Sequence, residues 1–203
     1  MKAFWNQRYS ESTYAYGKAP NAFFKSALQT IQPGRVLLPA EGEGRNAVYA
    51  AGMGFEVVAF DISEMARAKA LRLAEERNVE LTYFVASLPE LDLPSDSFDA
   101  VALIYAHFPP AQRRAFHLEL VRVLRPGGQI ILEAFTKAHL AFNRVNPSAG
   151  GPQEIELLYS EAELLNDFSE LDIVLCETVE VDLNEGVYHV GRSSVVRLIA
   201  TKG

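Results

Sequence analysis

A short apolar run, Val36-Leu37-Leu38-Pro39, stops at an acidic turn with two glycines, Ala40-Glu41-Gly42-Glu43-Gly44, and a small-residue segment opening Arg45-Asn46-Ala47 follows. The next apolar run, Phe55 to Phe60, ends on Asp61. Strand, glycine turn, helix, strand, acid is the layout of a site for a nucleoside-bearing cofactor. Gly42 and Gly44 let backbone approach a ligand, and the N-terminus of the following helix offers free N–H groups. Gly42-x-Gly44-x-x-Ala47 also satisfies the loose dinucleotide fingerprint G-x-G-x-x-G/A, which alone is a weak signal.

The two glutamates of the turn decide between cofactors. A pyrophosphate would sit beside the Glu41 and Glu43 carboxylates, at a cost of roughly 1–4 kcal/mol for like charges at close range. A cationic ligand would gain instead. S-adenosylmethionine carries a sulfonium, an ammonium and a ribose, and no phosphate. The competing reading is that both glutamates are solvated turn residues. Asp61 likewise has two readings: an acceptor for both ribose hydroxyls, or the N-cap of a helix beginning near Ser63. In the first, Ile62 lies against the adenine ring. Ser87 and the Leu88 backbone N–H then face the adenine edge, or Ser87 is an ordinary loop hydroxyl.

Periodicity extends this unit along the chain. Strands are expected over about 35–39, 55–60, 81–85, 98–105 and 129–135, with helices over 44–53, 67–77 and 110–124 between them. Pro20 to Ile31 reads as a helix with Phe23, Phe24, Ala27, Leu28 and Ile31 on one face. Arg125-Pro126-Gly127-Gly128 is a stop signal before the fifth strand. Residues 136–157 are a long irregular excursion, a length often used for a lid. Ser160 caps a short helix, and two β-type runs, 171–182 and 192–201, close the chain around Asn184-Glu185-Gly186. The alternation implies an α/β fold: a Rossmann-like, doubly wound, seven-stranded and mostly parallel sheet with a C-terminal antiparallel hairpin. One domain spans 1–203, divided into an N-terminal cap and helix (1–32), a cofactor-binding core (33–135) and a substrate-side excursion with the closing hairpin (136–203).

The net charge of -7 and the lack of a Lys/Arg run argue against a nucleic-acid partner. No apolar run is long enough to span a bilayer and the N-terminus has no signal-peptide core, so a cytoplasmic protein without membrane partners is expected. The single cysteine, Cys176, precludes an intrachain disulfide. Four histidines (107, 117, 139, 189) show no metal spacing, so no metal is expected.

These pieces together resemble the class I S-adenosylmethionine-dependent methyltransferases. The resemblance rests on the turn 36–47, Asp61, the Ser87 loop, Ser97-Phe98-Asp99-Ala100-Val101, and Leu124-Arg125-Pro126-Gly127-Gly128 at family-like spacing. Phe4-Trp5-Asn6-Gln7-Arg8-Tyr9, Tyr16-Gly17, Pro20-Asn21 and Glu185-Gly186-Val187-Tyr188-His189-Val190-Gly191 look like the small tellurite-resistance and thiopurine type. That family often has an acid where Leu38 stands and a glycine where Ala40 stands. Base-modifying members carry an Asp/Asn-Pro-Pro-aromatic motif after strand 4, which Tyr105-Ala106-His107-Phe108-Pro109-Pro110 lacks.

The resemblance implies S-adenosylmethionine as cofactor and a small-molecule acceptor, such as a thiol or a tellurite- or selenite-type oxyanion. Cofactor contacts are expected from Arg8, Glu41, Gly42, Gly44, Asp61, Ile62, Ser87, Leu88 and Tyr105, with Arg8 pairing with the methionine carboxylate. His107, just after strand 4, is the candidate general base or a structural loop histidine. Tyr16, Tyr188, His189 and Arg192 are candidate substrate contacts. The N-terminal aromatics either close over the cofactor or simply pack on the domain. A nicotinamide-dependent oxidoreductase and a non-catalytic cofactor-binding module remain as alternatives.

Overall fold

The computed structural model describes all 203 residues. Seven strands form one sheet: β1 (Arg35–Pro39), β2 (Glu56–Asp61), β3 (Thr82–Val85), β4 (Phe98–Ile104), β5 (Leu124–Phe135), β6 (Asp172–Glu185) and β7 (His189–Thr201). Their order is β3-β2-β1-β4-β5-β7-β6. β1 to β5 run parallel to one another, and β7 is antiparallel to both β5 and β6. β6 therefore runs in the same direction as β5. Its end and the hairpin loop 186–188 arrive at the edge where β1, β2 and β4 also end. Strand order reverses between β1 and β4, which opens the crevice in which ligands of such sheets bind.

The strands read as apolar runs because both faces of the central sheet are covered. Along β1, β4 and β5, Leu37, Val101, Leu103, Ile130 and Leu132 face one core, and Val36, Leu38, Ala100, Ala102 and Ile131 face the other. The first core is closed by α5 (Pro110–Val123) and α7 (Glu161–Asp167), through Leu120, Val121, Val123 and Leu164. The second is closed by α2 (Ala22–Leu28), α3 (Arg45–Gly52) and α4 (Glu64–Glu76), through Phe24, Leu28, Ala47, Ala50 and Ala70. Of the face expected for α2, Phe24, Ala27 and Leu28 are fully buried, while Phe23 and Ile31 pack at its margin. Edge strand β6 lies largely exposed.

Three local expectations differ from the structure. The unpatterned N-terminus contains a helix, α1 (Lys2–Arg8), none of whose residues is fully buried. A helix held by contacts at its C-terminal side leaves no apolar stripe to read. The excursion after β5 contains α6 (His139–Val145) and two single 3-10 turns. It is tied down by side chains: His139 Nε2 and Asn143 Nδ2 donate to the Gly150 carbonyl at 2.9 and 2.7 Å, and Asn146 Nδ2 donates to the Val190 carbonyl at 2.8 Å. Finally, β5 begins before the Pro-Gly-Gly punctuation. Leu124 pairs with Phe98, and a register shift between Phe98 and Ala100 absorbs the turn residues.

Candidate functional site

The glycine turn connects β1 to α3. Gly42 and Gly44 both take positive φ, +64° and +86°. A Cβ on Gly44 would meet the Cβ of Ala70 at 2.5 Å, so the turn lies directly on α4. Ala40 also sits in the left-handed region at φ +50°, at the position where the resembled family often has glycine. That conformation costs an L-residue roughly 1–2 kcal/mol, partly offset by the greater unfolded-state entropy of glycine. Ala40→Gly is therefore expected to stabilise the protein by about 1 kcal/mol, a rise in Tm of about 2–4 °C readable by calorimetry.

Asp61, at the end of β2, is buried and joins three elements. Its Oδ2 accepts from the Gly42 N–H at 3.1 Å and its Oδ1 from the Ser63 N–H at 2.9 Å. The helix N-cap is Ser63 itself, whose hydroxyl accepts from the Ala66 N–H at 3.1 Å. Each Asp61 oxygen has one protein donor and therefore retains capacity for another. Burial raises its pKa, against the backbone donors that lower it. The Ala86 N–H donates to the Asp61 carbonyl at 3.0 Å, which brings the Ser87–Leu88 loop alongside. Ile62 is half-buried and Leu88 is fully buried here. The Ser87 backbone N–H and hydroxyl are both given to Glu90 at 2.7 Å, so its side chain caps the following turn.

The two glutamates of the turn are not alike: Glu43 is buried and Glu41 is half-buried. Glu43 is buried and ion-paired with buried Lys69 (Nζ to Oε1 2.5 Å), while its Oε2 accepts from the Ala15 N–H at 2.7 Å. Lys69 also donates to the carbonyls of Glu11 and Thr13. This pair anchors the N-terminal segment, residues 1–20, which lies over the turn as a strap. Glu41 turns inward to α3: its Oε1 accepts from the N–H groups of Asn46 and Ala47 at 2.9 and 2.8 Å. Burial pushes its pKa up to about 7 despite those bonds and the nearby Arg45 charge. The helix N-terminus that would receive a phosphate is thus already filled by a carboxylate of the chain itself.

The strap lies across this edge. Tyr9 is buried over the turn, and a Cβ on Gly42 would come within 2.8 Å of its hydroxyl. Trp5 stacks on Tyr9, Tyr9 meets Tyr16 edge-on, and Tyr16 lies against His189 with ring centroids 4.4 Å apart. The Arg8 guanidinium sits 3.7 Å from the centroid of the Tyr188 ring and 3.4 Å from the Tyr16 hydroxyl, without a carboxylate partner. The Val187 N–H donates to the Ala15 carbonyl at 2.9 Å, closing strap against hairpin loop.

Beside the strap is a polar network the sequence did not announce. Asn21 caps α2 through Phe24 N–H, takes the Asn46 side-chain oxygen on its own N–H, and donates to Glu133 at 2.6 Å and Glu185 at 3.3 Å. Glu133 also accepts from the Tyr105 hydroxyl at 3.0 Å and pairs with Arg197 at 2.7 Å. Glu185 pairs with Arg45 at 2.9 Å and with His189 Nδ1 at 3.2 Å. Burial would raise Glu185, but His189 and Arg45 outweigh it and hold its pKa at about 2. Tyr105, in the left-handed region at φ +54°, packs between Phe135 and His189 at 4.7 and 4.5 Å. Only the spacing Glu185-x-x-x-His189 around the hairpin loop carried a readable hint of this cluster.

Two expected site residues are corrected. His107 gives Nδ1–H to the Leu157 carbonyl at 2.8 Å and accepts the Phe135 N–H on Nε2 at 3.3 Å. Neither nitrogen is left for a substrate proton, and burial lowers its pKa to about 4. It is a structural histidine between β4 and β5. Arg192 is exposed on β7 and paired with Glu180 at 2.6 Å, outside the aromatic cluster that Tyr16, Tyr188 and His189 do form. Its strand alternation points it away from that cluster.

Of the carboxylates at this edge, Glu43, Glu133 and Glu185 each have a cationic partner, whereas Asp61 and Glu41 have none. Asp61 without a cation, beside a helix N-terminus that Glu41 already fills, fits a cationic nucleoside cofactor such as S-adenosylmethionine and disfavours a dinucleotide.

Residues 36–128 match the family model described as a methyltransferase domain. The chain is 32% identical over 149 residues to a demethylmenaquinone methyltransferase of Clavibacter sepedonicus, covering 70% of this chain and 60% of that protein. It thus spans about three fifths of the length of the curated relatives it matches first, the second being covered over 59%. Among solved structures, a protein from the conversion of a disulfide bond into a thioacetal group during echinomycin biosynthesis superposes with a TM-score of 0.80 at 20% identity, covering 100% of this chain and 92% of that one. TehB from Haemophilus influenzae superposes with a TM-score of 0.72 at 14% identity, covering 100% and 67%. The core of the chain, residues 36–128, is thus similar to a methyltransferase domain, and its seven-stranded fold is the one these solved structures share.

Proposed function

We propose that this protein transfers the methyl group of S-adenosylmethionine to a small-molecule acceptor. The observation that carries the reading is Asp61, a buried carboxylate without a cationic partner, at a turn whose helix N-terminus Glu41 closes to phosphate. When bound, the cofactor supplies a methyl group on a positively charged sulfur. Asp61 holds the ribose through the free capacity of its two oxygens, and Gly42 admits the backbone close to it. Ile62 and Leu88 flank the adenine, and Arg8 takes the methionine carboxylate. Tyr9 and Tyr16, held by the strap, keep water from the reacting centre. Tyr105 stands at the end of β4, where the acceptor approaches. In-line displacement depends mainly on such alignment, which can supply about 7–11 kcal/mol.

The acceptor reading is narrower. A thiol or a reduced chalcogen oxyanion agrees with the resemblance to the tellurite-resistance and thiopurine type. Relatives named as demethylmenaquinone methyltransferases favour an aromatic acceptor as the second reading. An acceptor screen with labelled methyl donor, covering thiols, selenite, tellurite and quinols, separates them. Asp61→Asn tests the site itself. Charge-assisted hydrogen bonds of this kind contribute about 1.5–3 kcal/mol, so the variant is expected to bind S-adenosylhomocysteine roughly 10–150-fold more weakly while its fold is retained. Unchanged affinity would remove Asp61 from the site.

A further inference from the structure

Among the four histidines, His189 stands apart in what its second nitrogen does. Both nitrogens of His107 and both of His139 are committed, the latter to the Ser194 N–H and the Gly150 carbonyl. His117 pairs with Asp167, and its Nε2 is sealed in the core. His189 has its Nδ1 3.2 Å from Glu185, while its Nε2 has no partner in the protein and is not sealed from solvent. The ring is walled by Tyr16 at 4.4 Å, Tyr105 at 4.5 Å and Phe135 at 5.2 Å. Tyr105 follows the last residue of β4, so the ring of His189 lies at the carboxyl edge of the sheet, where the proposed transfer takes place. Glu185 cannot swing away, because Arg45 and Asn21 hold its other lone pairs.

We propose that His189 is the proton acceptor of the transfer reaction, with Glu185 as its positioning residue, and that the acceptor molecule binds with its nucleophilic O–H or S–H still protonated. This rests on the methyltransferase reading above. The balance is complete. The acceptor's proton passes to His189 Nε2, its electron pair forms the new bond to the methyl carbon, and the carbon–sulfur bond breaks with its pair staying on sulfur as a neutral thioether. The imidazolium is stabilised by Glu185 and returns its proton to water.

The groups facing His189 set its protonation. Glu185 on β6 favours the charged ring. Arg45 on α3 and His139 on α6 oppose it, as does His107 across Phe135, and the rings of Tyr16 and Tyr105 lie against it. Burial is the largest influence and keeps the ring neutral, as a base must be before it acts.

The test uses the full-length protein saturated with S-adenosylhomocysteine. Long-range proton–nitrogen NMR is expected to show His189 neutral with the proton on Nδ1, and Glu185→Gln is expected to lower the ring's pKa further. A proton on Nε2 in the unaltered protein would overturn the proposal. For turnover, two thiols are compared: 2-mercaptoethanol, protonated at neutral pH, and 4-nitrothiophenol, already a thiolate there. His189→Asn keeps a donor toward Glu185 but has no base. It is expected to lose about 100-fold or more with 2-mercaptoethanol and to keep its rate with 4-nitrothiophenol. An equal loss with both, or no loss, means that His189 is structural. If neither thiol is methylated, the ring tautomer decides. Failure to bind S-adenosylhomocysteine in calorimetry would sink the methyltransferase reading, a result separate from any His189 spectrum.

Discussion

Lys69→Met is expected to destabilise the protein by about 3–5 kcal/mol, because it strands a buried carboxylate. Lys69 and Glu43 are both almost completely buried, at 5% and 3% side-chain exposure, so water cannot replace the lost partner. The same ammonium fixes the carbonyls of Glu11 and Thr13. The loss should therefore appear twice: as a lower denaturation midpoint, and as new protease sensitivity within residues 1–20. Glu43→Gln in the same chain removes the stranded charge while its amide oxygen still accepts from Ala15. The double variant should regain most of the stability. A single variant as stable as the parent would show that the pair does not anchor the strap.

Gly44→Ala should cost about 2–5 kcal/mol from two independent causes. At φ +86° an L-side chain pays roughly 1–2 kcal/mol. The added methyl would also press on Ala70, 2.5 Å from its Cβ and 2.8 Å from its Cα, and overpacking of this kind costs roughly 1–3 kcal/mol. Backbone atoms of α4 cannot step aside as a flexible side chain would. The helix and the turn must separate, which moves Gly42 off Asp61 and weakens cofactor binding as well. Ala70→Gly should rescue only the share of the steric cost that its Cβ causes, because its Cα stays at 2.8 Å, and it should leave the conformational cost untouched in a denaturant series.

The fold was legible because its signals are local. Phe98 to Ile104 is apolar at every second position on both faces apart from Asp99, as a central parallel strand requires, and the turn after Val36 carries its glycines at the positions that take positive φ. Asp61 was legible for the same reason: it ends a strand. What stayed hidden is long-range pairing. The two glutamates of the turn look equivalent in sequence, yet one meets Lys69 from another helix and the other folds back on Asn46 and Ala47. Repulsion between carboxylates is therefore not what keeps phosphate from this turn. Repulsion from Glu43 is cancelled by Lys69, and the decisive factor is that Glu41 occupies the N-terminus of α3. His107 misled because proximity to β4 is visible in sequence, whereas the Leu157 carbonyl and Phe135 N–H that consume its nitrogens are not. Glu133, Asn21 and Arg45 come together only across β5, the strap and α3, with no spacing to betray them.

Titration calorimetry with two ligands in parallel tests the central claim most directly. S-adenosylhomocysteine should bind in the micromolar range to the unaltered protein, with markedly weaker binding after Asp61→Asn, and NADH should give no heat of binding. Tight binding of NADH alongside indifference to S-adenosylhomocysteine would contradict the account.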